Sequence, residues 1–204
     1  MVKLLLGKVL TFVLIFFLAQ RASAQFASHG VSAGIHISNL NVVPSAALNN
    51  PLAFYYQPQT GYHIGGYYRT GLGLVYFQPQ SWITILNHSI NYRDNISGVL
   101  WEDNIDLIRL DVPLEMGIHV GPFSALYAPV FSIALRTQSL MDIQLNKSGS
   151  WSNQIGIGFK LMAFQVSLRY ESPHTFTKAL AIESFQSTYA VEISQIIAVV
   201  SMRL

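Results

Sequence analysis

The chain has 204 residues, of which 51% are hydrophobic and only 11% are charged, and it contains no cysteine. Charged residues make up about a quarter of an ordinary soluble protein, so this composition is unusual for a surface in water. The lack of cysteine excludes disulfides, thiolate metal sites and a lipid-modified cysteine anchor. A formal net charge of only +2 gives no basic patch that would favour nucleic acid as a partner.

The first 24 residues are predicted to be a signal peptide. Lys3 and Lys8 make its start positive, an apolar stretch covers 9–18, and Ala22-Ser23-Ala24 forms a small-residue cleavage site. The stretch is about half of the roughly 20 residues that a membrane helix needs. Because the leader holds three of the twelve basic residues and no acidic one, the mature domain at 25–204 has a net charge of −1. No later apolar run is long enough to span a membrane as a helix, so strands would have to hold it there, or it is soluble.

The first half of the mature chain contains three strand-like segments. In the first, Gly30 to Leu40, apolar residues alternate with glycine, serine and histidine. The second runs from Gly61 to Thr70 and meets the third, Leu72 to about Ser89, at a predicted tight turn on Gly71. Gln78-Pro79-Gln80 interrupts the third segment. Alternation of this kind is typical of strands with two different faces.

The fourth segment, Asn104 to Val120, has the clearest alternation in the chain. Its apolar residues occupy every second position: Ile108, Leu110, Val112, Leu114, Met116, Ile118 and Val120. The positions between them are charged, small or turn-forming, so one face is apolar and the other polar. At about 3.3 Å per residue the run reaches roughly 40 Å, enough for a strand tilted by about 45° to cross a bilayer with its interfaces.

Four more segments bring the predicted strand count to eight. They are Phe123 to Leu135, Asn153 to Leu161, Phe164 to Tyr170, and about Phe185 to the end of the chain. Short turns near 71, 121 and 162 alternate with long connections at 41–60, 90–103, 136–152 and 171–184. Short turns at one end and long loops at the other are typical of outer-membrane barrels. The sequence therefore predicts an all-β, eight-stranded antiparallel up-and-down transmembrane barrel with lipid on its apolar face.

Aromatic and proline positions add two expectations. Aromatic residues near strand ends are predicted to form girdles at the two membrane interfaces. They are Phe123 and Phe164 at the short-turn end, and Tyr62, Trp82, Tyr170 and Tyr189 at the long-loop end. Pro113 and Pro129 lie inside strands of a barrel that has no free edge, so bulges or bends are expected at both.

The polar faces predict a network of charges inside the barrel. Its members are Arg109, Asp111, Glu115, His119, Arg169, Glu171 and Glu192, and His36 and Arg69 have compatible positions. The interior of eight strands is just wide enough to be filled by side chains. Charges there must pair, because an isolated buried charge is very costly. We therefore expect a salt-bridged plug; a proton or ion path is the alternative.

Several segments together resemble a known family. They are Gly30-Val31-Ser32-Ala33-Gly34-Ile35-His36-Ile37-Ser38-Asn39-Leu40, Gly61-Tyr62-His63-Ile64-Gly65, Arg109-Leu110-Asp111-Val112-Pro113-Leu114, Gly121-Pro122-Phe123 with Tyr127-Ala128-Pro129, and Gly156-Ile157-Gly158-Phe159 with Val166-Ser167-Leu168-Arg169-Tyr170. Over nearly all of 26–204 the chain resembles the outer-membrane β-barrel family of Bacteroidetes-type bacteria that includes the PorT proteins. The resemblance implies an outer-membrane location. Through the PorT members it also implies an accessory role in type IX secretion.

The resemblance also implies partners, and it has one departure. Outer-membrane lipid, the barrel assembly machinery during insertion, and envelope or secretion proteins at the outer loops are the expected partners. Barrels of this kind usually end on an aromatic residue that the assembly machinery recognises. This chain ends Val200-Ser201-Met202-Arg203-Leu204, so the alternation is kept but the final aromatic is absent.

No catalytic, cofactor or metal site is predicted. His88 and Ser89 are adjacent on a strand and point to opposite faces, while Ser172 and His174 lie in a polar loop without a strong partner signal. The loop acids lack the spacing of a calcium-binding loop: Asp94, Glu102, Asp103 and Asp106. Gly156-x-Gly158 is no dinucleotide fingerprint because no helix follows it.

Two other functions remain open from the sequence. A soluble, secreted barrel of lipocalin type would carry a ligand inside and would need an apolar lumen with a charged exterior. A lipid-modifying enzyme in the outer membrane would need a serine, a histidine and an acid that converge near the rim.

Overall fold

The computed structural model describes residues 27–44, 52–56, 58–94, 98, 100–138, 142–145, 149–175, 177–182 and 187–204. The predicted signal peptide lies outside these residues. Eleven strands occupy most of them: β1 (Ser28–Pro44), β2 (Leu52–Tyr56), β3 (Gln59–Leu72), β4 (Val75–Asp94), β5 (Leu100–Val120), β6 (Phe123–Gln138), β7 (Asp142–Leu145), β8 (Ser150–Leu161), β9 (Phe164–Thr175), β10 (Thr177–Ile182) and β11 (Ser187–Arg203). Within this part of the chain, no helix has the length and apolar character needed to cross a membrane.

Eight long strands form one closed antiparallel barrel. Their order around the wall is β1, β3, β4, β5, β6, β8, β9 and β11, and β11 pairs with β1 to close it. The closing pair runs in unbroken register from Gly30 opposite Arg203 to Pro44 opposite Tyr189. The predicted eight-stranded all-β barrel is therefore confirmed, and its closure leaves no long strand with an unpaired edge along this seam.

Three short strands extend the wall at the long-loop end. β2 pairs with the upper part of β4, β10 pairs with β11, and β7 pairs with β10. The predicted connection at 90–103 is also mostly strand, since β4 continues to Asp94 and β5 begins at Leu100. These segments lack the strict alternation on which the strand prediction relied. They are strands nevertheless, because backbone hydrogen bonds can pair two strands that have no apolar face. For that reason the loops predicted from the pattern were too long.

The short-turn end is made by turns at 73–74, 121–122 and 162–163. Two of them, Gly121-Pro122 and Met162-Ala163, are where the sequence predicts them. The first was predicted at Gly71, but Gly71 stays in β3 opposite Tyr76, and the turn lies at Gly73. Gly73 has φ 62°, the left-handed region that glycine adopts without strain.

The strand prolines do not shift the register. The β5–β6 ladder keeps one register from Arg109 to Val120, through Pro113 opposite Val130. The next pair is Met116 opposite Tyr127, so the ladder has a gap between these two pairs. Pro129 lies in this gap. The bulge on this pair lies higher, where the register shifts between Ile108 and Arg109. Proline removes a ladder hydrogen bond without adding a residue, so a gap in pairing is sufficient. Of the expected bulges or bends, no bulge lies at Pro113 or at Pro129.

The outside of the barrel is apolar along the part nearer the short turns. On β5, Met116, Ile118 and Val120 are exposed, and the four apolar residues above them are half-buried between neighbouring side chains. The same holds around the wall, where exposed apolar residues include Ile35, Ile64, Ile83, Ile157, Leu168 and Val200. On the eight barrel strands, polar and charged side chains of the opposite face are buried inside.

Most of the predicted girdle residues point outward, with one exception. Phe123, Phe164, Tyr62 and Tyr170 are exposed. The side chain of Tyr189 lies outside the described residues. Trp82 was predicted at the outer interface, but it is 1% exposed and lies inside the barrel. Its position has the same parity as the inward residues Gln80 and Thr84, and Gly65 on β3 leaves space for its ring.

Candidate functional site

The lumen contains charged side chains that balance one another. Three arginines and three carboxylates face inward from three strands: Arg69 from β3; Arg109, Asp111 and Glu115 from β5; and Arg169 and Glu171 from β9. All are buried apart from Arg69, whose side chain is 12% exposed. Equal numbers of opposite charges are what a narrow, poorly hydrated interior requires, because an unpaired charge there would be strongly destabilising.

Glu115 is the centre of the half of the lumen nearer the short turns. Its carboxylate lies 2.8 Å from Nη2 of Arg169 and 4.0 Å from Nη2 of Arg69. It also accepts hydrogen bonds from the Tyr76 hydroxyl at 2.7 Å and from Nε2 of Gln80 at 2.5 Å. One carboxylate therefore contacts four other inward-facing side chains.

Glu171 is the corresponding centre nearer the long loops. It accepts hydrogen bonds from Ser152 at 2.7 Å, Gln154 at 2.9 Å and Gln195 at 2.6 Å. Nη2 of Arg109 lies 3.7 Å away, and Nε of Arg109 donates to Asp111 at 2.8 Å. This cluster joins β5, β8, β9 and β11, so it ties together one side of the barrel wall.

Arg69 occupies the lower end of the lumen. Its Nε donates to Oε1 of Gln78 at 2.5 Å and its Nη2 to Oε1 of Gln165 at 2.6 Å. Its guanidinium carbon also lies 4.5 Å from the centre of the Tyr76 ring, within cation–π range. These contacts bridge β3, β4 and β9 across the lumen.

An aromatic stack occupies another part of the lumen. The rings of His63 and Trp82 stack with centroids 4.4 Å apart, and His36 lies parallel to His63 at 6.0 Å. The Trp82 indole donates a hydrogen bond to Oγ of Ser32 at 3.0 Å. The guanidinium carbon of Arg169 lies over the Trp82 ring, 5.1 Å from its centroid. The stack depends on nearby glycines, since a Cβ at Gly34 would meet His63 at 2.4 Å and one at Gly61 would meet His36 at 1.9 Å.

The structure places most of the predicted network residues together. Arg109, Asp111, Glu115, Arg169 and Glu171 form the two clusters described above, and His36 and Arg69 also face inward. His119 is half-buried at the short-turn end, where its ring stacks on Tyr76 with centroids 4.4 Å apart. It therefore contacts the Glu115 cluster through Tyr76.

Glu192 was assigned to the lumen, and the structure corrects this. The inward residues of β11 are Ile193, Gln195, Ile197, Val199 and Ser201. Glu192 has the opposite parity, is half-buried and pairs with exposed Asn41 of β1. Apolar residues occupy both faces of β11, so alternation alone could not fix which face points inward.

Sequence reasoning missed the neutral partners of the charges. Five glutamines are buried in the lumen, and the side chain of each hydrogen-bonds to a charged group in the contacts above: Gln78, Gln80, Gln154, Gln165 and Gln195. Each glutamine has the parity of the buried row of its strand, and on β9 Gln165 shares that parity with Arg169 and Glu171. That parity was the available signal, and it was applied only to ionisable residues.

His174 was also misplaced, in a polar loop. β9 continues to Thr175, and His174 is buried in the lumen, with Nδ1 3.4 Å from Glu171 and Nε2 3.4 Å from Arg109. It is not arranged with Ser172 as a catalytic pair, because the Ser172 hydroxyl accepts a hydrogen bond from the Asn153 backbone amide at 3.2 Å. The histidine instead extends the Glu171 cluster.

The other candidates for chemistry are distributed as follows. Ser89 lies next to Glu102 and Asn104, at 3.2 and 2.5 Å, on the exposed upper part of the β4–β5 hairpin. The side chains of His88, Asp94 and Asp103 are outside the described part of the chain. Among the residues that are described, no group of three or more histidines, aspartates and glutamates is placed to hold a metal ion.

Comparison with known proteins adds no identification. No protein-family model matches the chain, and no curated protein is significantly similar to it. The resemblance to the family that includes PorT therefore depends on the strand motifs alone and stays a prediction.

Proposed function

We propose that the mature chain is an outer-membrane β-barrel protein of structural or interaction type, with no enzymatic activity. The observation that carries this proposal is the distribution of polarity in a closed barrel. Large apolar side chains such as Ile64, Ile157 and Leu168 are exposed on the outside, whereas the charged residues of the Glu115 and Glu171 clusters are buried inside. A continuous exposed apolar surface of this kind suits lipid and is unfavourable in water.

Location is tested by fractionation of the cells that produce the protein. We expect the protein to stay in the membrane pellet after a carbonate wash, which releases peripheral and soluble proteins. We also expect the unheated protein to migrate faster on a gel than the boiled protein, because the folded barrel is compact. Release by carbonate would contradict the proposed membrane location but would not bear on the barrel fold.

The polarity of the lumen argues against a lipocalin-like carrier. Such a protein needs an apolar cavity for its ligand and a charged exterior. Here the interior contains three arginines and three carboxylates, and Glu115 and Glu171 are fully buried by their partners. The arrangement of Ser172 and His174 likewise gives no support to a lipid-modifying enzyme.

The charged clusters also argue against a pore. Side chains from opposite sides of the wall meet across the lumen, as in the contact of Arg169 with Glu115 and of Arg69 with Gln165. In planar bilayers we therefore expect the purified protein to show no stable, sizeable single-channel conductance. Sustained openings of the wild-type protein would contradict the closed plug and favour the ion-path alternative.

A barrel without a channel would act through its two ends. The long-loop end is raised above the wall by β2, β7 and β10, which gives partners an extended surface. We propose that envelope or secretion proteins bind there, and that the barrel assembly machinery inserts the chain. An accessory role in type IX secretion is the specific form suggested by the resemblance to the family that includes PorT.

A further inference from the structure

The short-turn end of the barrel contains an open cavity of about 230 Å³. Its lining combines the side chains of Arg69, His119, Lys160 and Arg203 with Tyr67 and Gln165. Cavities that hold drug-sized ligands are about 300–1,000 Å³, so this one suits a single compact group. Arg69 forms the inner part of the cavity, while Lys160 and Arg203 are exposed at its opening.

The charges in this cavity are not balanced by the lumen network. The three lumen carboxylates are already shared among Arg69, Arg109 and Arg169. Within the described residues, neither Lys160 nor Arg203 forms an ion pair, and Lys160 is close enough to both Arg69 and Arg203 for their charges to act on it. Two cations in excess therefore lie at the opening of a cavity that has a third in its interior.

We propose that this cavity binds a phosphate group of the monoester or inorganic type. Such a group carries about −1.5 to −2 charges at pH 7, which matches the two uncompensated cations, whereas a carboxylate brings only one. Guanidinium groups present several N–H donors in a fork that fits phosphate oxygens, and the lysine ammonium adds a point charge. The Tyr67 hydroxyl and the Gln165 amide supply neutral donors beside them.

The phosphate could belong to a lipid or be free in solution. Exposed apolar residues surround the opening, among them Leu72 at the end of β3, Leu74 and Met162 in the turns, and Val75 and Phe164 in the lining. An apolar rim around a basic cavity fits a lipid whose headgroup ends in a phosphate monoester. Free inorganic phosphate offers the same chemistry without using the rim.

Calorimetric titration of the purified detergent-solubilised protein with inorganic phosphate tests the site. We expect saturable binding by the wild type, and about tenfold weaker binding by Lys160→Gln and by Arg203→Gln, since a hydrogen bond to a charged group is usually worth that much or more. Arg93→Gln is the matched control, because Arg93 is an exposed arginine at the end of β4 away from the cavity. It should bind as the wild type does.

The same titration in micelles that contain phosphatidic acid or phosphatidylcholine then distinguishes a lipid headgroup from free phosphate as the natural ligand. Competition by phosphatidic acid alone would assign the site to a lipid headgroup, and lack of competition by either would assign it to free phosphate. Absence of saturable phosphate binding to the folded wild type, or equal weakening by Arg93→Gln, would overturn the proposal. Heat-dependent gel migration of each variant confirms folding, and the result is independent of where the barrel resides in the cell.

Discussion

Replacing Glu115 with alanine is expected to lower the free energy of unfolding by about 3–5 kcal/mol, the usual cost of removing one partner of a buried ion pair. Glu115 is fully buried, and its carboxylate lies 2.8 Å from Arg169. The substitution leaves Arg169 without its partner and removes the acceptor for Tyr76 and Gln80. The cost comes from these stranded groups more than from the lost attraction itself.

Urea unfolding in detergent micelles, followed by tryptophan fluorescence and by the folded band on unheated gels, measures this loss. Glu102→Ala is the control, because Glu102 is an exposed acid on the same strand and its loss should cost less than about 0.5 kcal/mol. Glu115→Gln combined with Arg169→Gln removes both charges and should be less destabilised than Glu115→Ala. If Glu115→Ala were as stable as Glu102→Ala, the carboxylate would not organise the lumen.

The strand pattern could be predicted from the sequence because it follows from a local rule. Side chains alternate between the faces of a strand, so the run from Ile108 to Val120 identifies both a strand and its two faces. Eight such segments joined by alternately short and long connections leave few folds other than an up-and-down barrel. The charged residues of β5 and β9 could be assigned to the lumen by the same alternation.

The contacts within the lumen could not be predicted in this way. Whether Arg169 meets Glu115 or Glu171 depends on the stagger between strands, which alternation does not determine. Trp82 was placed outside because its residue type outweighed its parity, although Gln80 and Thr84 on either side face inward. Glu192 was placed inside because β11 has apolar residues on both faces. For the contacts the missing information was the register between distant strands, and for Glu192 it was the face of β11 that points inward, whereas the parity of Trp82 was present in the sequence.

A charge placed on the apolar exterior is expected to have the second large effect on stability, and this effect distinguishes a barrel in lipid from a soluble one. Leu168 lies within the outward row of β9 that also contains Phe164, Val166 and Tyr170, and its side chain is 53% exposed. A lysine at this height would place a charge near the bilayer midplane. We expect Leu168→Lys to cost about 2–4 kcal/mol for the barrel folded in lipid vesicles.

Leu135→Lys is the matched control for Leu168→Lys. Leu135 is also an outward leucine, 55% exposed, but it lies on β6 toward the long-loop end, beyond the last β6–β8 pair at Ser132. There a lysine reaches water, so the expected cost is about 0–1 kcal/mol. Urea unfolding of both variants in lipid vesicles measures the difference. If both lysines were tolerated equally, or if Leu168→Lys made the protein stable and monodisperse without detergent, the apolar wall would not face lipid. A soluble barrel would then be the better account of this chain.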